Sequence, residues 1–530
     1  MVHTTTPECT GQSEGTETTH ADVTTARNSK SMVLGQRERW LIDSLLLVCL
    51  FAFVCVVANR PAASVDEDLW WHMSTGAWIL QHRAVPVHDV FAAYTAGKPW
   101  IAYTWLFDVI CSKIYGAGGL HGILTFTMSL TVGFIAALVF LLARYATMLR
   151  AIALTFIVVL AAIPLISPRP WLFTCLFFVL ELHFLLQARD RSEPGWLLPV
   201  VPLIALWANL HIQFVYGLAV IGLFAMERPL ALALKWDPES AKLRARWFWI
   251  LLAASTLGTL LNPYGWRLYT VIAEYATQNA PLQVVQEMQP MQFREISDWA
   301  VLFLASAALF ALGYTRRKSV LTLSLMAVAL WFGFHTARDV WFLAVVSALA
   351  IACASEQPKL ALGKLRFIQL GIALPPATAL AIAVLHSGGA SQKALQEASA
   401  KRFPVKAAEY IGSHPLEAPL YNPYDWGGYL IWRVPGMPVS IDGRANLQGD
   451  ERVARFVATW TGRGSWAADP ELMNANTIIL EKDCGLASIL RSDQRFRLLF
   501  EDGLASVFQR LRVPNTHLPN RDSSKEKTGF

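Results

Sequence analysis

Charge is the clearest shortage in this 530-residue sequence, because only 16% of its residues are Asp, Glu, Lys or Arg. Soluble domains carry roughly 25% charged residues, so the composition argues against a soluble globular protein. The apolar residues, 54% of the chain, gather in runs of about 16 to 22, close to the length that crosses a hydrocarbon core roughly 30 Å thick. The sequence therefore predicts a polytopic α-helical membrane protein.

Several motifs of soluble enzymes and metal sites are also missing. The seven cysteines contain no CxxC pair, and Cys49, Cys55, Cys175 and Cys353 lie in apolar runs, where they serve as small hydrophobic residues. No Walker A loop, GxSxG, HExxH or protein-kinase signature occurs in the sequence. Thiolate metal sites, disulfide frameworks and cytosolic nucleotide chemistry therefore have no support.

Ionisable residues are rare inside the apolar runs, where Asp43 and Glu181 stand nearly alone. A proton-coupled carrier needs a chain of such groups through the membrane, and broken-helix repeats are not evident either. A small-molecule transporter is therefore disfavoured. The net charge of +6 does not indicate a nucleic-acid partner, because most Lys and Arg residues lie in short loops where membrane topology explains them.

The basic residues assign the two sides of the membrane. Arg144, Arg189, Arg228 and Arg316 all fall in loops of one parity, which the positive-inside rule makes cytoplasmic. Large loops at 59–118 and 263–298 and the C-terminal region then lie outside, and their mixture of aromatic, apolar and charged residues is typical of interfacial helices. The eleven predicted spans are about 40–58, 119–143, 151–166, 170–187, 197–209, 212–227, 247–262, 299–314, 320–335, 339–354 and 366–385.

Four parts make up the predicted organisation. Residues 1–36, rich in Thr, Ser, Glu and Gly, are expected to form a disordered cytoplasmic tail rather than a cleaved signal peptide. A transmembrane domain follows at 37–388. Alternating helical and extended segments in 389–512 are typical of an extracytoplasmic α/β domain with helices on a mainly parallel sheet, and 513–530 is expected to be a second disordered tail.

Three carboxylates and an imidazole follow directly after the first predicted span, in the stretch VDEDLWWHMSTG. One interpretation is a solvated loop that its tryptophans anchor at the headgroup level. The other is chemical, because burial beside indole rings raises the basicity of a carboxylate. Asp68 or Asp66 could then act as a general base, or a pair of carboxylates could hold a divalent cation such as Mg²⁺ or Mn²⁺. In a helix, Asp68 and His72 would share one face.

Turns on the same predicted outer face carry further polar residues. Arg169 lies in SPRPW, His211 in WANLHIQ and Arg338 in HTARDVW. Each turn alone is an ordinary interfacial turn, but polar residues at membrane depth usually face a cavity or a pathway. Together Arg169, His211 and Arg338 could bind a phosphate, since a guanidinium fork suits two of its oxygens.

The stretch YNPYDWGGYLIWRVPGMPVSIDGRANL in the C-terminal region allows two interpretations. Its paired glycines permit a tight turn over which the aromatic residues cover a core. Trp426, Asp442 and Arg444 add polar groups beyond the needs of such a turn, which favours substrate binding. The sequence leaves both interpretations open.

On these residues the chain resembles the GT-C superfamily of integral-membrane glycosyltransferases. DLWWH (Asp68–His72) is similar to the acidic first-loop motif of the catalytic subunit of oligosaccharyltransferase. YDWGGYLIW followed by IDGRAN is similar to that family's Trp-Trp-Asp-Tyr-Gly element and its downstream Asp. The chain departs from the pattern at Tyr424-Asp425-Trp426, and no second D-x-D or E-x-D occurs around Arg169. Peptide-acceptor recognition is therefore not carried over, and the arrangement looks more like bacterial relatives of the dolichyl-phosphate-mannose-protein mannosyltransferase type.

The resemblance implies an inverting transfer of a sugar from a polyprenyl-phosphate-linked donor to a glycan, lipid or protein acceptor on the outer face of the bacterial cytoplasmic membrane. Asp68, or else Asp66, would accept the proton of the acceptor. The residues expected to bind substrate are His72, Arg169, His211, Arg338, Trp426, Asp442 and Arg444. The competing hypothesis is a non-catalytic membrane protein for the assembly or export of a cell-envelope polysaccharide.

Overall fold

The structure is a computed structural model that describes residues 36–61, 65–236, 243–278, 285–315, 319–354 and 391–511, with isolated positions between 368 and 383. Helices make up the part before residue 355, and a small domain with a β-sheet follows residue 390. The predicted fold class, a polytopic helical protein with a C-terminal α/β domain, is confirmed.

Long apolar helices form the membrane part. The helices are α1 Gln36–Ala58, α2 Leu69–His82, α3 Trp105–Leu142, α4 Met148–Ala162, α5 Trp171–Arg191, α6 Val200–Leu210, α7 Phe214–Ala233, α8 Ala245–Thr259, α9 Leu268–Thr277, α10 Ile296–Tyr314, α11 Val320–His335 and α12 Val340–Ala354. Seven helical segments of the described residues are long and apolar enough to cross a membrane, and Pro194–Leu210 and Val320–His335 are shorter apolar segments. The first ten predicted spans coincide with helices, and most of the last, 366–385, lies outside the described residues.

Helix α3 begins much earlier than its predicted span at 119–143. It starts at Trp105, and Gly119 interrupts its helical geometry with φ +57° and ψ −148°. Glycine adopts a positive φ at little cost, so the chain bends there between a first segment and the membrane-crossing segment. A hydropathy run identifies the second segment alone, so the predicted span at 119–143 coincides with the membrane-crossing segment and does not include the helical segment that precedes it.

Helix α2 holds the VDEDLWWH region in place and is buried on two sides. It packs against the first segment of α3 so closely that a Cβ on Gly76 would lie 2.0 Å from the Asp108 carbonyl oxygen. On its other side, Trp70 is 2% exposed and meets the rings of Phe403 and Tyr429 edge-on, at 5.4 and 5.1 Å. The C-terminal domain therefore covers this helix of the first loop.

The C-terminal domain contains a mixed sheet. Its strands are β1 Leu420–Tyr421, β2 Thr477–Glu481, β3 Phe496–Glu501 and β4 Ala505–Arg510. They lie in the order β1-β2-β4-β3, with β1 parallel to β2 and the other two pairs antiparallel. The prediction of a mainly parallel sheet was wrong, because the connection at 502–504 is too short for a parallel crossover and makes β3 and β4 a hairpin.

Short helices surround that sheet. They are α13 Gln392–Arg402, α14 Val405–Ser413, α15 Gly427–Arg433, α16 Ala445–Gln448, α17 Asp450–Trp460, α18 Pro470–Asn474 and α19 Gly485–Ser492. A core of its own lies under the sheet and includes Ile478, Leu480, Leu486 and Phe508. Strand β2 is buried from Thr477 to Leu480, because Ile478 and Leu480 face this core while Ile479 packs in the core that includes the helical bundle. The sheet is therefore covered on both faces.

Backbone pairing attaches the C-terminal domain to the first loop. The Ala93 amide donates to the Val439 carbonyl at 2.8 Å, and the Tyr94 hydroxyl donates to the Glu471 carbonyl at 2.8 Å. The first loop and the C-terminal domain consequently lie at the same end of the helical bundle.

Candidate functional site

A cavity of about 800 Å³ lies between the helical bundle and the C-terminal domain. It is lined by the first loop, by the turns that precede α5 and α12, by the segment before α10 and by the C-terminal domain. Six of the nine predicted site residues line it: Asp68, His72, Arg169, His211, Arg338 and Arg444. Asp66, Trp426 and Asp442 do not contact the cavity.

Arg169 lies at the centre of a group of carboxylates. Its Nε donates to both oxygens of Asp66 at 2.7 Å, and its Nη1 donates to the two oxygens of Glu287 at 2.9 and 3.0 Å. Nη1 also lies 2.9 Å from Asp68 Oδ2. We call Arg169, Asp66, Asp68 and Glu287 the Arg169 cluster. It joins the start of α2, the turn before α5 and the segment before α10 at one point.

Asp68 is the carboxylate of this cluster whose environment is best suited to proton transfer. Its side chain is 21% exposed, and the indole Nε1 of Trp71 donates to Oδ1 at 3.1 Å. Burial raises the pKa of Asp68; Arg169 opposes that rise, and the negative charges of Asp66 and Glu287 add to it, with a resulting pKa of about 7. A carboxylate with such a pKa exchanges its proton near neutral pH, as a general base must.

The IDGRAN motif closes over Asp68 from the C-terminal domain. A Cβ on Gly443 would lie 2.2 Å from Asp68 Oδ1, a distance that no side chain tolerates. Glycine at this position therefore lets the backbone of the C-terminal domain approach the carboxylate.

A second cation, Arg338, lies against the same Trp171 ring as Arg169. The guanidinium carbon of Arg169 lies 4.7 Å from the indole centroid and that of Arg338 5.7 Å, so the ring contacts both positive charges. Arg338 Nη2 donates to His211 Nε2 at 3.3 Å, which leaves the proton of His211 on Nδ1 to donate to Thr174 at 2.8 Å. Burial and the charge of Arg338 lower the pKa of His211, so this imidazole is neutral.

His72 also lines the cavity and contacts Asp108 of α3. Its Nδ1 lies 2.6 Å from Oδ1 of Asp108, and both side chains are almost fully buried. Burial, and secondarily the charge of Arg169, lower the pKa of His72. His72 therefore enters the site as a neutral imidazole whose orientation Asp108 fixes.

Arg444 belongs to a second, closed network. It donates to Asp442 at 2.8 and 2.6 Å and to Asp89 at 2.6 Å, and its guanidinium lies 4.5 Å from the centroid of Trp100. The three charged side chains are no more than 1% exposed. We call Arg444, Asp442 and Asp89 the Arg444 network, and it fastens the C-terminal domain to the first loop.

Trp426 is buried within the C-terminal domain. It is 3% exposed, and its Nε1 donates to the Arg402 carbonyl at 3.1 Å. Trp426 and Asp442 are thus buried within the C-terminal domain and are not among the residues that line the cavity. The expectation that these two residues bind substrate stays a prediction.

Sequence reasoning missed several residues of the site. Glu287, Asp108 and the tyrosine pair Tyr103 and Tyr275, whose hydroxyls lie 2.9 Å apart, complete the walls of the cavity or position its residues. Glu287 carried a weak signal, because it is a lone carboxylate between apolar residues of a predicted outer loop, VVQEMQP. A second acidic group, Glu67, Asp425 and Glu481, also lines the cavity.

No protein-family model matches the sequence, and no curated protein matches it. Among the solved structures that match is the archaeal oligosaccharyltransferase AglB from Archaeoglobus fulgidus in complex with an inhibitory peptide and a dolichol-phosphate. The TM-score is 0.50 and the identity 12%, over 83% of this chain and 69% of that chain.

Two further structures show weaker similarity. ArnT from Cupriavidus metallidurans bound to undecaprenyl phosphate gives a TM-score of 0.46 and 13% identity, over 87% of this chain and 97% of that chain. The A. fulgidus oligosaccharyltransferase in complex with Zn and sulfate gives 0.45 and 14%, over 82% and 68%. The similarity to AglB confirms the architecture predicted from the sequence: the chain has the fold of the GT-C membrane glycosyltransferases.

Proposed function

We propose that this protein is a membrane glycosyltransferase that moves a sugar from a polyprenyl-phosphate-linked donor to an acceptor. One observation carries the proposal: Asp68, with a pKa of about 7, faces the same cavity as the guanidiniums of Arg169 and Arg338. A base and two cations are the groups that such a transfer needs. The fold of AglB, a protein that was solved with a dolichol-phosphate, supports the choice of donor.

The proposed reaction places the donor phosphate at the cations. Arg169 and Arg338 compensate the negative charge that grows on the phosphate oxygen as its bond to the sugar C1 breaks. Asp68 accepts the proton of the acceptor as the new glycosidic bond forms on the opposite face of the sugar, which inverts the anomeric centre. His72 and His211, both neutral, are placed to orient the donor by hydrogen bonds.

The cavity is proposed to face the outside of the bacterial cytoplasmic membrane, with the N-terminus in the cytoplasm. Helix α5 separates Arg169 before its first residue from Arg189 in its last turn by roughly 30 Å, the span of a 20-residue helix. At that far end Arg189 pairs with Glu227 at 2.6 Å and Arg144 with Asp190 at 3.0 Å. This basic end is the cytoplasmic one by the positive-inside rule.

The lipid tail of a polyprenyl donor would remain in the bilayer while its phosphate reaches the cavity at headgroup depth. The base must then lie at the same depth. Asp68 meets this requirement because it directly precedes α2, a buried helix rich in aromatic residues. The acceptor would enter from the side of the C-terminal domain.

The test is donor cleavage by purified full-length protein. We expect the wild type to release polyprenyl phosphate from a labelled polyprenyl-phosphate sugar in the presence of a membrane extract as acceptor source. Asp68→Asn should lower the rate by about 10²–10⁴-fold, the usual contribution of a general base, with an unchanged melting temperature. Glu397→Gln, at a side chain that is 60% exposed, is the matched control. Release at the wild-type rate by Asp68→Asn would exclude Asp68, and no release by any variant would favour the non-catalytic alternative.

A further inference from the structure

We infer that the guanidinium of Arg169 takes the place of a divalent cation between Asp66, Asp68 and Glu287, so that the cluster binds no metal. Three carboxylates around one positive charge supply the oxygen ligands that Mg²⁺ or Mn²⁺ prefers. In this chain the point of convergence is filled by an arginine side chain. The inference rests on the proposed function only for its consequence, that transfer needs no metal.

The geometry leaves no room for a cation at that point. Arg169 lies 2.7 to 2.9 Å from oxygens of all three carboxylates, and Mg²⁺ needs the same oxygens at about 2.0–2.1 Å. Such an ion would overlap the guanidinium and meet its positive charge. Among the described residues, no group of three or more His, Cys, Asp or Glu side chains is placed to hold a metal ion, so Asp66, Asp68 and Glu287 can bind one only after they close in on the space that Arg169 occupies.

Arg169 is also held too firmly to move aside. Its side chain is 13% exposed, it stacks on Trp171, and an arginine does not lose its charge in a protein. Displacing it would leave one buried cation and three carboxylates without their partner, which is strongly unfavourable.

The cations of the cavity supply the charge that a metal would bring. Arg169 and Arg338 both lie against the indole ring of Trp171, and their two positive charges equal the charge of one Mg²⁺. Within the described residues, Nη2 of Arg169 makes no hydrogen bond to protein, whereas Nε and Nη1 are occupied by carboxylates. Nη2 is therefore available to a phosphate oxygen, as a metal's open coordination position would be.

Binding of Mn²⁺ alone, measured by electron paramagnetic resonance on the purified full-length protein, tests the inference without any substrate. The wild type should bind no Mn²⁺ that Glu287→Gln removes. Arg169→Gln frees the three carboxylates and should gain one Mn²⁺ site, at least about tenfold tighter than any wild-type binding, and Arg169→Gln combined with Glu287→Gln should lose it.

Two outcomes would overturn the inference. One is a wild-type Mn²⁺ site that Glu287→Gln abolishes; this arm does not depend on the folding of an arginine variant. The other is an Arg169→Gln protein with wild-type melting temperature and no new site, because its carboxylates would then not be placed for a cation.

Chelation separates this inference from the proposed function. We expect EDTA to change the transfer rate by less than about twofold, whereas loss of transfer in EDTA and its recovery with Mn²⁺ would overturn the inference and leave the glycosyltransferase proposal intact. A protein that transfers no sugar under any condition, yet binds Mn²⁺ only as Arg169→Gln, would overturn the proposed function and leave the inference standing.

Discussion

Two arginines of this protein are each surrounded by carboxylates, and their settings are opposite. In the Arg444 network the charged side chains are at most 1% exposed, and one cation meets two carboxylates. In the Arg169 cluster one cation meets three carboxylates whose side chains are 9%, 21% and 26% exposed. The side chains of the Arg444 network are almost fully buried although Arg444 lines the cavity, whereas Asp68 and Glu287 of the Arg169 cluster line the cavity and are partly exposed.

Proton affinity follows this difference. Burial raises the pKa of Asp89, but the charge and hydrogen bonds of Arg444 outweigh it, so that the pKa of Asp89 is lowered. Burial also raises the pKa of Asp68, and there the extra carboxylates leave Arg169 unable to compensate, which results in a pKa of about 7. Asp68, whose burial is not offset by its cation, can thus exchange a proton, whereas Asp89, whose burial is offset, belongs to a structural clamp.

The largest effect is expected on stability, when the Arg444 network is disrupted. Arg444→Met removes the partner of two fully buried carboxylates and should lower the free energy of unfolding by about 3–5 kcal/mol. Arg169→Met should cost less, because water in the cavity can solvate the carboxylates it leaves. Thermal unfolding of both variants in detergent checks this expectation, and equal losses would mean that the two settings do not differ as described.

A second expected effect concerns the affinity of the cavity for the lipid phosphate. Arg338→Gln should weaken binding of polyprenyl phosphate by roughly 10–100-fold, since a hydrogen bond to a charged group contributes about 1.5–3 kcal/mol. Arg433→Gln, at an exposed ion pair with Glu409, should leave the affinity unchanged. Equal affinities in the two variants would remove Arg338 from the phosphate site.

The pH profile gives the smallest and most specific effect. Asp68 accepts a proton only when it is ionised, so the transfer rate should rise with pH and level off above a midpoint near its pKa of about 7. The negative charge of Glu287 raises that pKa, and Glu287→Gln should therefore shift the midpoint to lower pH, whereas Glu397→Gln should not. A shift to higher pH, or none, would contradict the assignment of Asp68 as the base.

The sequence predicted the positions that depend on the course of the chain through the membrane. Asp68, Arg169, His211 and Arg338 lie in segments that the apolar runs place at one end of the bundle, and the structure does bring them to one cavity. Their location at one end of the bundle could be predicted because every second crossing returns the chain to the same side of the membrane.

Contacts between residues far apart in the chain could not be predicted from the sequence. Glu287 and Arg169 are 118 residues apart, and Asp108 and His72 are 36 apart; neither pairing leaves a local pattern. Asp442 and Arg444 were found through their motif, but whether such a pair faces a cavity or a core depends on the packing of the first loop against the C-terminal domain. The bend at Gly119 could not be predicted either, since a hydropathy pattern carries no information about the φ angle of one residue.

The most direct measurement compares Asp68→Asn with Asp89→Asn, one carboxylate from each arginine setting, in transfer rate per folded molecule. The account predicts that Asp68→Asn loses about 10²–10⁴-fold in rate and keeps its melting temperature, while Asp89→Asn melts earlier and its folded fraction transfers sugar at the wild-type rate. An Asp68→Asn protein that transfers as fast as the wild type, or an Asp89→Asn protein that is as stable as the wild type and inactive, would contradict it.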